Sequence, residues 1–209
     1  MKPQIIEVAT GIELHYYPTW IGDPARLLAE AEEGLSFTDE VVTMFNKPNI
    51  IRRRTVDYGL PYSYNATAKP SIEWEPVALA LRQRLYEQFK VDWQQCACNE
   101  YMDQRAYIGP HHDKPAVLGQ ERREPLYIAS ISAGAERKMV LTPPGANLKG
   151  VAITVVGLSK VPGSVVLELA SGSLLLFCNA LNRSWKHSIP MDSQKLALGK
   201  RISLTFRHF

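Results

Sequence analysis

Three residues of this chain have the types and spacing to hold one divalent metal ion. His111 and Asp113 stand two positions apart after a Gly109-Pro110 turn, and His187 lies far downstream in Trp185-Lys186-His187-Ser188-Ile189-Pro190. His-x-Asp on one loop clasps an ion from one side and leaves room for a third ligand. Two imidazoles and a carboxylate with positions left open form the donor set of non-haem Fe(II) oxygenases. His-x-Asp alone is a common triplet, and a loop histidine with ordinary hydrogen bonds explains it without metal. His187 joins the pair only if strands double back and return it there. His112 falls on the other side of the backbone from His111 and reads as structural.

A second set of residues has the chemistry to hold an anion. Residues 201–207 alternate, so Arg201, Ser203, Thr205 and Arg207 share one face of a strand and Ile202, Leu204 and Phe206 the other. An arginine turned inward must find an anion, because an unpaired buried guanidinium is very costly. Two on one face suit a ligand with two carboxylates, each gripped by a planar fork. The plainer alternative is a terminal strand with a wet polar face. Asn99 and Tyr101 also share a face, on an alternating strand over Gln95–Tyr101.

The elements that must position these residues are legible in outline. Residues 5–17 hold one or two strands before Pro18. Asp23-Pro24 opens a helix with Leu27, Leu28 and Ala31 on its apolar side, and Gly34 stops it. Trp74, Val77, Ala78, Leu81, Leu85 and Phe89 recur at helical spacing, with Pro76 in the first turn. From residue 94 the pattern is β, with short runs at 126–133, 137–142, 151–158, 164–169 and 173–178 separated by Gly, Pro and Ser. That spacing predicts an antiparallel sandwich or jelly roll. The expected fold class is α+β, mainly β with flanking helices, as one domain over 1–209. Residues 1–92 form an N-terminal extension with supporting helices, and 93–209 the jelly-roll core.

Composition bounds the partners. With 45% hydrophobic and 22% charged residues the chain can build a real core, and no apolar run approaches the length that spans a bilayer. No membrane partner is expected. The N-terminus lacks the apolar core of a signal peptide, and three cysteines are too few for a disulfide framework, so a reducing, cytoplasmic setting is expected. Cys96 and Cys98 alternate in a strand and read as small hydrophobes on one face; a Cys-x-Cys metal site is the sharper alternative, with no second pair to complete it. The net charge of +3 hides an asymmetry: residues 1–45 carry two basic and eight acidic side chains, whereas 46–70 carry five basic and one acidic. Basic side chains beside Tyr58, Tyr62 and Tyr64 suit a surface that binds phosphates and stacks planar rings. They equally suit a solvated run beside tyrosines that cover a core edge.

Taken in order, Asn99-x-Tyr101, His111-x-Asp113, Trp185-x-His187 and Arg201-Ile-Ser-Leu-Thr-Phe-Arg207 resemble the AlkB family of Fe(II)- and 2-oxoglutarate-dependent dioxygenases. The resemblance runs from about Phe45 to Phe209. It implies a double-stranded β-helix (jelly roll) with helices on one side and an N-terminal nucleotide-recognition lid. Fe(II) would be held by His111, Asp113 and His187. 2-Oxoglutarate would meet Arg201 at its distal carboxylate and Arg207 near its 1-carboxylate, with hydrogen bonds from Asn99 and Tyr101. Thr205 would line the same face, and Ser203 stands where the bacterial member has asparagine. Dioxygen would be the third reactant.

Phe45-Asn46-Lys47, Arg53, Tyr58-Gly59 and Tyr62-Ser63-Tyr64 resemble the lid of the duplex-DNA repair members. By that resemblance Phe45 would wedge into the duplex and Tyr62 would sandwich a flipped base against His111, with Tyr64 beside it. Lys47 and Arg53 would serve the backbone or the gap. The implied activity is oxidative demethylation of N-alkylated DNA bases coupled to decarboxylation of 2-oxoglutarate to succinate, a direct-reversal repair by a monomer acting on DNA. The alternative is the same oxygenase chemistry on RNA, a protein side chain or a small molecule. One departure bears on substrate. Many repair members carry an acid two places after the metal aspartate, contacting the exocyclic amine of the damaged base; here that place is Pro115, with Glu121 and Glu124 farther on.

Overall fold

The computed structural model describes residues 2–44, 47–64, 67–69, 72–118, 121–192 and 199–209. Within strands at 42–44, 47–49, 62–64, 67–69, 117–118 and 121–122 the backbone alone is described.

The chain begins with a hairpin of β1 (Gln4–Ala9) and β2 (Ile12–Tyr17), followed by helix α1 (Pro24–Gly34). Asp23 caps α1 by accepting the Arg26 N–H at 3.0 Å, as the Asp-Pro start predicts. Strands β3 (Thr38–Met44) and β4 (Lys47–Gly59) form a long antiparallel pair, and β5 (Tyr62–Tyr64) and β6 (Thr67–Lys69) a short one. Helix α2 (Pro76–Phe89) starts two residues after Trp74, which stacks between Tyr58 and Phe206 instead of joining the helix.

The core follows: β7 (Gln95–Tyr101), β8 (Ile108–His111), β9 (Ala116–Leu118), β10 (Glu121–Arg123), β11 (Tyr127–Gly134) and β12 (Arg137–Thr142). Next come α3 (Val155–Ser159), β13 (Val165–Leu169), β14 (Leu174–Cys178), α4 (Asn179–Ser184), β15 (Lys186–Ile189) and β16 (Arg201–His208). The expected strand over 151–158 is corrected. Thr154 accepts the Gly157 N–H and caps the single turn of α3, so a local side-chain bond wins over the β propensity of the valines.

Two sheets face each other. The large one runs β1-β2-β14-β11-β16-β7-β4-β3, and the small one β13-β12-β15-β8. A third sheet, β10-β9-β5-β6, joins the lid hairpin to the segment after Asp113. From β7 onward the chain passes back and forth between the two facing sheets, which is jelly-roll winding. Between them Tyr101, Ile128 and Phe177 pack on Met139, Leu141, Leu167 and Ile189. The outer face of the large sheet, including Val56, Tyr58, Cys98, Leu204 and Phe206, packs on α1 and α2 through Leu27, Ala31, Leu81 and Leu85. Each such fully buried side chain contributes about 1.5–3 kcal/mol. Cys96 and Cys98 lie in this outer core with their sulfurs 3.6 Å apart, as small hydrophobes.

Register decides what faces the space between the sheets. Arg201 pairs with Tyr101, Ser203 with Asn99, Thr205 with Ala97 and Arg207 with Gln95, while Thr55 of β4 also pairs with Asn99. The polar residues of three strands are thereby gathered on one inner face. A one-residue slip would turn both arginines outward.

Gly134, opposite Arg201 at the end of β11, has φ +91°, and an added Cβ would lie 2.3 Å from the Lys200 carbonyl oxygen. Gly134→Ala is therefore expected to destabilise the protein by about 1–3 kcal/mol, or roughly 2–4 °C in Tm per kcal/mol. An unchanged melting temperature would show that the close approach carries no constraint.

Candidate metal centre and anion pocket

Pairing of β8 with β15 sets His111 directly opposite His187, and their ring centroids are 4.3 Å apart. Asp113 follows on an irregular segment held by Asn182. The Asp113 N–H donates to Asn182 Oδ1 at 2.8 Å, and Asn182 Nδ2 donates back to the Asp113 carbonyl at 3.1 Å. The Asn182 carbonyl also takes His112 Nδ1 at 2.5 Å, which fixes that histidine away from the cavity. His111 Nδ1 meets the Gly109 carbonyl at 2.8 Å, so its Nε2 is left to face Asp113. Asp113 Oδ1 lies 3.8 Å from His111 Nε2 and 3.6 Å from His187 Nε2. One ligand atom from each of the three residues falls within 4.8 Å of the others, the sole such group of three among the described residues.

Arg207 holds the carboxylate from behind. Its Nε donates to Asp113 Oδ2 at 3.1 Å and its Nη2 to Oδ1 at 2.8 Å, while Nη1 donates to Gln95 Oε1 at 3.0 Å. Of the two arginines expected to meet ligand carboxylates, Arg207 is held against the carboxylate of Asp113 and still lines the cavity. The cause is register, which sets Arg207 and Gln95 side by side beneath the aspartate. Burial raises the Asp113 carboxyl, but Arg207 and His187 outweigh it and hold the group well below the usual carboxylate range. Burial, with His187 as a neighbour, lowers His111 to about 3 against the pull of Asp113 and the Gly109 carbonyl. Both groups thus sit in the forms that ligate metal: an ionised carboxylate and a neutral imidazole.

Arg201 is different. It is fully buried, with Nη2 donating to Ser132 Oγ at 2.9 Å and the guanidinium 5.1 Å over the Tyr101 ring. Its Nε and Nη1 have no hydrogen-bond partner among the described residues. Burial lowers its pKa to about 10, and Arg137 pushes the same way. Arg137 approaches the same ring at 5.6 Å but donates to the carbonyls of Asp103, Ala106 and Pro190. A buried cation with two of its three nitrogens unmet among the described residues calls for an anion, and a carboxylate can accept from it.

His111, Asp113, His187, Arg201, Ser203, Thr205, Arg207, Asn99 and Tyr101 all line one cavity. Arg53 lines it too, which revises its expected reach toward phosphates. Its Nε donates to Asn99 Oδ1 at 2.9 Å, and its Nη2 lies 3.6 Å from Glu40 Oε2. Arg54, on the other face of β4 and partly exposed, donates to Glu100 at 2.8 Å and to the Phe37 carbonyl. Phe45 lies outside the described residues. The backbones of Lys47, Tyr62 and Tyr64 are in β4 and β5, but their side chains lie outside the described set. The Tyr62 backbone pairs with Ala116, next to Pro115, so the lid hairpin is joined to the Asp113 segment.

Sequence reasoning missed Glu40, Asp57, Ser130 and Met139 in the cavity wall, and Asn182 behind it. Alternation in Tyr127–Gly134 carried the signal for Ser130 and Ser132. Asn182, on a one-turn helix between strands, offered none.

Comparison with known proteins accords with this geometry. A model of the 2OG-Fe(II) oxygenase superfamily matches residues 26–207. The chain is 31% identical over 169 residues to the DNA oxidative demethylase ALKBH2 of Mus musculus, covering 79% of this chain and 65% of that protein. It is 33% identical over 160 residues to the alpha-ketoglutarate-dependent dioxygenase alkB homolog 3 of Bos taurus, covering 74% and 51%. The chain thus spans roughly half to two thirds of the length of these relatives. Among solved structures, OsALKBH1 superposes with a TM-score of 0.58 at 16% identity over 99% of this chain and 100% of the other. A prolyl hydroxylase from Trichoplax adhaerens, in complex with a hypoxia inducible factor peptide, gives 0.54 at 13% identity over 94% and 83%. Both show the same fold.

Proposed function

The chain belongs to the 2OG-Fe(II) oxygenase superfamily, and from that premise we propose that it removes N-alkyl groups oxidatively from bases in DNA, as a repair enzyme. The observation that carries the proposal is one cavity holding the His111, Asp113 and His187 donors together with the buried, unmet guanidinium of Arg201. The donor set suits Fe(II), and the two unmet nitrogens of Arg201 suit the distal carboxylate of 2-oxoglutarate. The relatives at 31% and 33% identity are described as a DNA oxidative demethylase and an alpha-ketoglutarate-dependent dioxygenase, which supports DNA as the partner.

Dioxygen would be the oxidant: bound Fe(II) would activate it, 2-oxoglutarate would give two electrons as it goes to succinate and CO2, and the N-alkyl carbon would be hydroxylated and leave as an aldehyde. The chain's own residues do the positioning. Arg207 keeps Asp113 ionised and aimed, Gly109 sets the His111 tautomer, and Asn182 fixes the backbone that carries the aspartate. Arg201, on the wall opposite the histidines' strand, orients a dicarboxylate within the cavity. The target base must leave its stack at a cost of a few kcal/mol, least where alkylation has already broken its pairing. Phe45 and Tyr62 are proposed to assist that step, with Lys47 and Tyr64 on the same lid. The protein is proposed to act as a monomer in the cytoplasm, a setting supported by its three free cysteines.

The test offers methylated single- and double-stranded oligonucleotides with Fe(II) and 2-oxoglutarate. Loss of a methyl mass, abolished by His187→Ala, is the expected result. Succinate formation with every oligonucleotide unchanged would remove the DNA reading and leave the oxygenase.

A further inference from the structure

We propose that Arg137 is a positioning residue of the anion pocket: its charge, held behind Tyr101, helps Arg201 select 2-oxoacids that carry a second carboxylate. The inference rests on the reading of Arg201 as the donor to the distal carboxylate of 2-oxoglutarate. Arg137 does not itself line the cavity. It acts from one layer farther back.

Arg137 opens β12, opposite Leu169 of β13. Its side chain reaches segments of the chain that flank three other strands. Nη1 donates to the Asp103 carbonyl at 3.2 Å, and Nη2 donates to the carbonyls of Ala106 and Pro190 at 2.8 and 2.7 Å. Asp103 and Ala106 lie between β7 and β8, and Pro190 follows β15. One side chain thus joins the segments next to the strands that carry Tyr101, His111 and His187. Arg137 is 2% exposed, and its Nε has no hydrogen-bond partner among the described residues.

Those bonds need N–H groups, and none of them needs a charge. A guanidinium buried against neutral carbonyls carries a high desolvation cost. Burial lowers the pKa of Arg137, and Tyr101, Asp192 and Asp103 recover only part of that. Arg201 stands in the same condition on the same ring. The guanidinium carbons of Arg137 and Arg201 lie 5.6 and 5.1 Å from the Tyr101 ring centroid, each within cation–π range. Two buried like charges on one ring repel each other. A carboxylate seated on the unmet nitrogens of Arg201 is attracted by both. Contact with Arg201 supplies orientation, and Arg137 adds field from a distance. A 2-oxoacid without the distal carboxylate leaves both charges uncompensated, which is a penalty against the wrong ligand.

The experiment measures binding of 2-oxoglutarate and of 2-oxopentanoate, which has a methyl group in place of the distal carboxylate. Titration calorimetry is run with Zn(II) in place of Fe(II), so that turnover does not occur. Wild type, Arg137→Gln, Arg137→Lys and Arg201→Met are compared, with thermal unfolding of each. Wild type is expected to prefer the dicarboxylate. Arg137→Gln is expected to lose roughly five- to twentyfold in affinity for 2-oxoglutarate, the effect of one charge about 10 Å away at an effective dielectric constant near 20. Its affinity for 2-oxopentanoate should be unchanged. Arg137→Lys keeps the charge with fewer donors, so it should melt lower and keep the preference near neutral pH. A buried ammonium gives up its proton more readily than a guanidinium. In Arg137→Lys the preference should therefore fall as pH rises from about 6.5 to about 9, while wild type holds it. That arm decides the matter if Arg137→Gln does not fold. Equal losses on both ligands, an unchanged preference in Arg137→Gln, or, where that variant does not fold, a preference in Arg137→Lys that ignores pH would overturn the role of Arg137 and leave Arg201 standing. Wild type binding the two acids alike, or Arg201→Met keeping the preference, would overturn the reading of Arg201 and this inference with it.

Discussion

Replacing Asp113 by alanine is expected to abolish turnover and metal binding and to lower the unfolding free energy by roughly 3–5 kcal/mol. Both effects come from one carboxylate. Its Oδ1 faces His111 Nε2 and His187 Nε2, and both its oxygens accept from Arg207. Removing it leaves a guanidinium, nearly buried, facing empty space. Two controls separate the causes. His187→Ala should remove metal binding with a smaller loss of stability, because no buried charge is orphaned. The double variant Asp113→Ala/Arg207→Met should regain much of the lost stability and none of the activity, since both charges leave together. Thermal unfolding and metal stoichiometry would be measured on all three. A double variant as unstable as Asp113→Ala would show that the stability loss comes from cavity formation and not from the unpaired charge.

Replacing Arg201 by methionine has the opposite signature. Turnover at ordinary 2-oxoglutarate concentrations is expected to fall at least roughly a hundredfold, through loss of affinity for the co-substrate, since a buried charge pair is worth about 2–5 kcal/mol to binding. The ligand-free protein should be as stable as wild type or more so. Arg201 keeps two nitrogens without a partner among the described residues, and methionine relieves that cost while filling similar volume. Wild type should gain thermal stability on adding 2-oxoglutarate with a redox-inert divalent metal, by mass action, and Arg201→Met should not. A variant that melts well below wild type, yet still responds to 2-oxoglutarate, would assign Arg201 a structural role.

The metal donors and the strand that carries the arginines were legible because each signal is local. His-x-Asp and the alternation of residues 201–207 depend only on neighbours in the chain, as do the capped helix at Asp23 and the β runs of the core. The strand expected at 151–158 failed for the complementary reason. Its valines favour β structure, but one threonine hydroxyl bonded to a nearby N–H was enough to wind a turn.

What each arginine does could not be read from alternation. Arg201 and Arg207 share a face, and sequence makes them equivalent. Only the folded pairing puts Gln95 and Asp113 against Arg207 and leaves Arg201 with unmet donors. The same holds for the basic run at 52–54. As sequence it suits phosphates, but in the fold Arg53 and Arg54 meet Glu40 and Glu100 from other strands. Charge and spacing along the chain thus determined which residue types were at hand, namely two imidazoles, one carboxylate and an arginine-faced strand. Their partners were decided by strand order and by register. The reason is physical: a guanidinium's energy inside a protein depends on which anion lies within about 3–4 Å of it, and only the three-dimensional fold sets that distance.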